Sequence, residues 1–227
     1  MLIIFDLDDT LVDTSGCITP FKLEDALRVM IREGLVLPDF NEGLDLLKRL
    51  DMSSESSKHS LAEFLEILNA DASLLQIGIK EIYENISSDI PLSPLENVIE
   101  VLTELQEEHD LALVTVGKKI QQMEKLKKAG IDSSVFSKII VSEERNKKPH
   151  YQVIVEELGY ASSEVVVCGD RIAVDLSPAR ELGFKTIQMR WGRGLNSTGF
   201  KNDVDYVVSR FKEIKEIMPS LTTFSAF

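Results

Sequence analysis

The spacing of apolar positions changes character along the chain. Leu2-Ile3-Ile4-Phe5 is a continuous apolar run that stops at Asp6, which predicts a short strand buried on both faces. Residues 15 to about 92 read as helical. Thr19-Pro20 predicts an N-cap followed by a first-turn proline, and Leu23, Leu27, Met30 and Ile31 follow at helical spacing up to a stop at Gly34. Leu44, Leu47 and Leu50 predict a second, short helix. The serine-rich stretch 53–60 predicts a loop, and Ser60-Leu61-Ala62-Glu63 has the form of a capping box that starts a third helix. Leu74, Ile77, Ile82 and Ile86 mark a fourth, less regularly spaced.

From about residue 93 strands and helices alternate. Ser93-Pro94-Leu95-Glu96 is expected to cap a helix carrying Val98, Ile99, Leu102 and Leu105. Strands are predicted at 111–114, 138–141, 165–168 and 185–189, with a further one at 206–208. Helices are predicted at 119–129, 151–158 and 174–182, each stopped by a glycine, namely Gly130, Gly159 and Gly183. Such alternation implies an α/β fold, a doubly wound, Rossmann-like parallel sheet. The helical block interrupts it after the first strand. The expected organisation is therefore a core of residues 1–14 and 93–227 with an all-helical insertion, 15–92.

Composition narrows the function. The 227 residues carry 38 acidic and 25 basic side chains, a formal net charge of -13. Such a surface repels nucleic-acid backbones and anionic membranes, so neither partner is expected. Cys17 and Cys168 have no paired spacing that would suggest a disulfide framework or a zinc site. The apolar run after Met1 is too short for a signal peptide or a membrane span, so a cytoplasmic location is expected.

Four polar clusters follow predicted strands. Asp6 follows the first, Thr115 follows the strand ending at Val114, Lys148 lies in the loop after Val141, and Gly169-Asp170 follows the strand ending at Cys168. Each alone reads as a cap, a turn or a solvated side chain. Together they gather at the carboxyl edge of a parallel sheet, where ligands bind. Asp6 and Asp8, two residues apart, could point the same way in an extended segment. With Asp170, and with Asp175 as a further carboxylate, they form a site of oxygen donors without histidine or cysteine, which suits Mg²⁺. Thr115 would offer a hydroxyl and Lys148 a point charge to phosphate oxygens.

The set Asp6-x-Asp8-x-Thr10, Thr115, Lys148-Pro149 and Gly169-Asp170-x-x-x-x-Asp175 resembles the haloacid dehalogenase superfamily of hydrolases, over residues 1–14 and 93–208. The position of the insertion resembles the subfamily with a helical cap between the first two motifs. The resemblance implies roles. Asp6 would be the nucleophile that forms a phospho-aspartate and would ligate Mg²⁺. Asp8 would be the general acid and base, with its backbone carbonyl on the metal. Thr115 and the Val116 amide would bind phosphate, and Lys148 would position nucleophile and phosphate. Asp170 would be a metal ligand, and Asp175 would sit behind the metal and the lysine. Lys147 is adjacent, but Pro149 directly after Lys148 favours Lys148.

The implied activity is that of a Mg²⁺-dependent phosphatase acting on a small phosphorylated metabolite. A haloacid dehalogenase would not need Asp8, because a halide leaves without a proton. A sugar-phosphate mutase would keep all the core residues and differ in its cap. A non-enzymatic phospho-aspartate or binding module would have no use for both Asp6 and Asp8. Val116 stands where Asn is common in the family, and Arg171 where a small residue is frequent. The Ser-Glu-Glu stretch at 142–144 and the Gln121/Gln122…Lys125 helix resemble the branch containing nucleotide and acyl-sugar phosphatases.

Overall fold

The computed structural model describes residues 1–84 and 90–222. In chain order the strands are β1 (Leu2–Phe5), β2 (Asp110–Val116), β3 (Lys138–Ser142), β4 (Val165–Gly169), β5 (Lys185–Met189) and β6 (Tyr206–Val208). The helices are α1 (Thr14–Cys17), α2 (Thr19–Arg32), α3 (Phe40–Ser53), α4 (Ser57–Ile67), α5 (Leu74–Tyr83), α6 (Val98–Leu105), α7 (Lys119–Lys128), α8 (Lys148–Leu158), α9 (Ser177–Arg180) and α10 (Glu213–Thr222). The chain divides into two compact units, Met1–Asp13 with Leu92–Phe227, and Thr14–Pro91.

The first unit is built on a six-stranded sheet in the order β3-β2-β1-β4-β5-β6, with every pair parallel. β1 is central, and all four of its side chains are buried, as its unbroken apolar run predicts. Leu2 and Ile4 pack on one face with Ala112, Val114, Val165, Val167, Tyr151 and Phe184. On the other face Phe5 meets Phe211, with ring centroids 5.7 Å apart. From β1 the order runs through β2 to one side and through β4 to the other. That reversal opens a crevice at the carboxyl ends of β1 and β4.

The second unit is helical. Leu23, Leu27 and Met30 of α2 pack with Leu47 of α3, Leu61 and Phe64 of α4 and Leu74 of α5. Two expected caps fall elsewhere. Thr19 is the first residue of α2 rather than its N-cap, and Ile18 occupies that position without a side-chain cap. Ser60 does not start the third helix, because α4 begins at Ser57 and is capped by Ser56, which accepts from the His59 amide. Ser60 is instead buried and donates to Asp51 Oδ1 at 3.0 Å. A cluster of serines offers several equivalent caps, and burial chooses among them. Ile86, expected on the fourth helix, lies outside the described residues.

In the first unit, α6 starts later than expected. Asn97, with φ 66°, precedes it, while Ser93–Leu95 runs alongside residues 11–13. The helix predicted at 174–182 divides into a wide π-type turn, Ile172–Leu176, and the short α9. No helix is expected after residue 208, yet Ile214, Ile217, Met218 and Leu221 stand at helical spacing in α10, and Pro219 lies inside it. No described helix is long and apolar enough to cross a membrane.

Candidate active site

Asp6 is the first residue past β1, and its amide donates to the Cys168 carbonyl at 2.9 Å, which extends the β1–β4 pairing by one residue. The chain then turns. Asp9 adopts φ 56°, and the amides of Thr10, Leu11 and Val12 all converge on the Leu7 carbonyl. Asp8 therefore sits on a compact loop rather than on a continuing strand, beside Asp6 but directed differently. Thr115 lies within β2 and is buried, and Val116 ends that strand. Asp170 directly follows β4, and Asp175 projects from the wide turn behind it; both are buried.

The lysine in this cluster is Lys147. Its Nζ lies 2.6 Å from Asp6 Oδ1 and 2.6 Å from Asp175 Oδ1, and it donates to the Val114 carbonyl at 2.8 Å. The side chain is fully buried. Lys148 points elsewhere, pairing with Glu181 at 2.7 Å in solvent. This corrects the expectation from Pro149. α8 begins at Lys148 with the proline in its first turn, and the residue before the helix is the one that enters the crevice. Successive residues at a helix start point about 100° apart, so only one of two adjacent lysines can face the sheet.

Two of the carboxylates resist ionisation. Burial pushes Asp6 up to about 6, with Lys147 opposing the rise and Asp175 and Asp8 adding to it. Burial and the neighbouring Asp175 hold Asp170 well above the usual carboxylate range. Asp175 moves the other way. Burial works against its charge, but Lys147 and Arg171 stabilise the anion and keep it below the usual range. Asp175 also accepts from the Arg171 amide at 2.9 Å. Gly169 makes room for it, because a Cβ there would stand 2.4 Å from Asp175 Cβ.

Asp6, Asp170 and Asp175 can each bring one oxygen to within 4.8 Å of the others. Asp6 Oδ2 and Asp170 Oδ1 are buried and have no hydrogen-bond partner. Asp170 Oδ1 has only the Arg171 Nε at 3.8 Å, beyond hydrogen-bond reach. Two such carboxylate oxygens from neighbouring strand ends, both costly to ionise, are what a hard cation would satisfy. The donor set, all oxygen, fits Mg²⁺. Asp175 is already committed to Lys147, which places it behind such a cation rather than on it.

Asp8 is held from the opposite side by two residues of α7. Lys125 Nζ lies 2.6 Å from Asp8 Oδ1. Gln122 Nε2 donates to Asp8 Oδ2 at 2.8 Å and to Thr115 Oγ1 at 2.6 Å. In the sequence these two residues stand out only as part of a helix that resembles one shared by several branches of the superfamily. The usable signal was their spacing of three on the helix after Thr115, which puts both on one face.

The family model of haloacid dehalogenase-like hydrolases matches residues 3–189. The glyceraldehyde 3-phosphate phosphatase of Methanocaldococcus jannaschii is 32% identical, covering 96% of this chain and 97% of its own. The protein of the same name from Pyrococcus furiosus is 27% identical, covering 96% and 92%. Among solved structures, a haloacid dehalogenase-like family hydrolase from Xanthomonas campestris shares the fold with a TM-score of 0.65 at 19% identity, covering 97% of this chain and 95% of its own. A phosphatase of the same family from Thermococcus onnurineus gives 0.62 at 21% identity, covering 95% and 96%. With a family match across most of the chain and a relative this similar over nearly its whole length, the chain belongs to the haloacid dehalogenase-like hydrolase family.

Proposed function

We propose that the chain is a phosphatase that hydrolyses a small phosphorylated metabolite through a phospho-aspartate on Asp6. The observation that carries this reading is the pairing of a buried Asp6 with Lys147 at the switch point of the sheet, with Asp8 and Thr115 linked beside it. The phosphatases named among the relatives support it, and they point to a triose phosphate as the substrate class.

In the first step an Asp6 carboxylate oxygen bonds to phosphorus in line with the leaving group. The P–O bond to the leaving group breaks, its electron pair stays on that oxygen, and Asp8 supplies the proton that makes it an alcohol. In the second step a water oxygen bonds to phosphorus, and the water gives a proton to Asp8. The acyl-phosphate bond breaks, and its electron pair returns to Asp6. Lys147 keeps Asp6 in place throughout, while Thr115 and the Val116 amide serve the phosphate oxygens. Mg²⁺, held by Asp6, Asp170 and the Asp8 carbonyl, would supply positive charge against the phosphate and the carboxylates. The helical unit Thr14–Pro91 is the cap in this reading, and it would choose the leaving group.

The test is phosphate release with Mg²⁺ from a panel of triose, sugar and nucleoside phosphates. A preference for small phosphomonoesters supports the proposal. Absence of release from every phosphomonoester, including an activated aryl phosphate, overturns it.

A further inference from the structure

The proposed reaction gives Asp8 two proton transfers, and its carboxylate must therefore be held in one place relative to the phosphate. A side chain with free χ rotations has several rotamers open to it unless its oxygens are held. Two such restraints come from α7. Lys125 approaches Oδ1 at 2.6 Å, and Gln122 donates to Oδ2 at 2.8 Å, so each oxygen has its own donor and the plane of the carboxylate is set. A carboxylate offers about four lone-pair positions, so a donor on each oxygen orients it and does not by itself exclude a proton.

Gln122 does more than hold Asp8. Its Nε2 also reaches Thr115 Oγ1 at 2.6 Å and the Val116 carbonyl at 3.3 Å. The carboxylate and the carbonyl can only accept, so the amide orientation is fixed with nitrogen toward them. Thr115 Oγ1 is thus an acceptor from Gln122, and its own hydrogen is left to point to another acceptor, such as a phosphate oxygen. Gln122 is buried, and it packs against Gly117, where a Cβ would come within 3.1 Å of the amide carbon. The amide is therefore itself tightly confined.

We infer that Gln122 and Lys125 are positioning residues of the reaction: together they hold the Asp8 carboxylate at the phosphate site, and Gln122 also turns the Thr115 hydroxyl into a donor. The inference rests on the phosphatase reading above. The opposite role, parking Asp8 away from the substrate, is disfavoured because the same amide ties Asp8 to Thr115.

The experiment compares kcat/KM for an alkyl phosphate and for p-nitrophenyl phosphate in the wild type, Lys125→Met, Lys125→Arg and Gln122→Leu. The constant kcat/KM covers only the steps through leaving-group departure. An alkoxide needs the Asp8 proton to leave and nitrophenolate does not, so the alkyl-to-aryl ratio reports how well Asp8 is placed. A positioned general acid contributes about 10²–10⁴-fold. Lys125→Met is expected to lower the ratio by about tenfold or more, and Lys125→Arg to restore most of it. Gln122→Leu is expected to lower the ratio and also to weaken competitive inhibition by inorganic phosphate, which Lys125→Met leaves unchanged. Thermal melting confirms that each variant is folded; Lys125 is partly exposed, so its variants keep the test open if Gln122→Leu does not fold. An unchanged ratio in folded Lys125→Met, or a rise in rate, overturns the inference. An Asp6→Asn control separates the two levels. If that variant is active, the phosphatase mechanism itself fails; if it is inactive while Lys125→Met keeps the wild-type ratio, only the positioning role fails.

Discussion

Replacing Lys147 by methionine removes one ammonium and little volume. In the structure that ammonium is wholly buried, lies 2.6 Å from both Asp6 and Asp175, and donates to the Val114 carbonyl. Its loss leaves two carboxylates facing each other without their cation. Removing one partner of a buried pair typically costs about 3–5 kcal/mol, a large part of the roughly 5–15 kcal/mol that stabilises a domain. Loss of a preorganised charge at a reacting centre lowers turnover by about 10²–10³-fold. Lys148→Met, by contrast, breaks only a solvent-exposed contact with Glu181, and turnover should stay within about twofold. The assay is kcat on an aryl phosphate together with the urea midpoint of each variant. Added Mg²⁺ should recover part of the stability lost in Lys147→Met, because a cation on Asp6 relieves the same repulsion. Full activity in Lys147→Met with loss in Lys148→Met would refute the placement of the lysine.

Other outcomes follow from the same geometry. Without metal, the folded chain binds more protons at Asp6 than the unfolded chain, because its carboxyl titrates at about 6 against an ordinary value of 3.8. The stability this group contributes is complete below about pH 4 and is lost as pH rises through 6, so urea midpoints should fall across that window and Mg²⁺ should flatten the decline. Chelation should abolish phosphate release and Mg²⁺ restore it, whereas Ca²⁺ should restore little because it favours looser, higher coordination; full turnover in chelator would contradict the metal assignment. Gly169→Ala should destabilise the protein by about 1–3 kcal/mol and depress kcat, since the new Cβ would displace Asp175 from Lys147; a midpoint equal to wild type would show that the turn gives way freely.

Parallel pairing and the strand-end positions of Asp6 and Asp170 were legible because β1 and β4 are unbroken apolar runs followed by acidic residues, whereas the strand order was not read from the sequence. Thr115 was legible for the same reason, although it lies inside β2 rather than past it. The choice between Lys147 and Lys148 was not legible. It depends on the residue at which α8 begins, and helix ends are set by tertiary packing as much as by the proline. The serines at 53–60 were ambiguous for a similar reason, since Ser56 and Ser60 are both good caps and only the burial of Ser60 against Asp51 separates them. The contacts from Gln122 and Lys125 to Asp8 span more than a hundred residues, and no local pattern encodes such a distance.

The central claim is that Asp6 carries the phosphoryl group. The most direct measurement is a rapid acid quench of the enzyme during turnover of a ³²P-labelled phosphomonoester, followed by peptide mapping and comparison with Asp6→Asn. The account predicts label on the peptide containing Asp6, released when the quenched protein is treated with hydroxylamine, and neither label nor turnover in Asp6→Asn. Label on another residue, or undiminished turnover in a clean Asp6→Asn preparation, would contradict it.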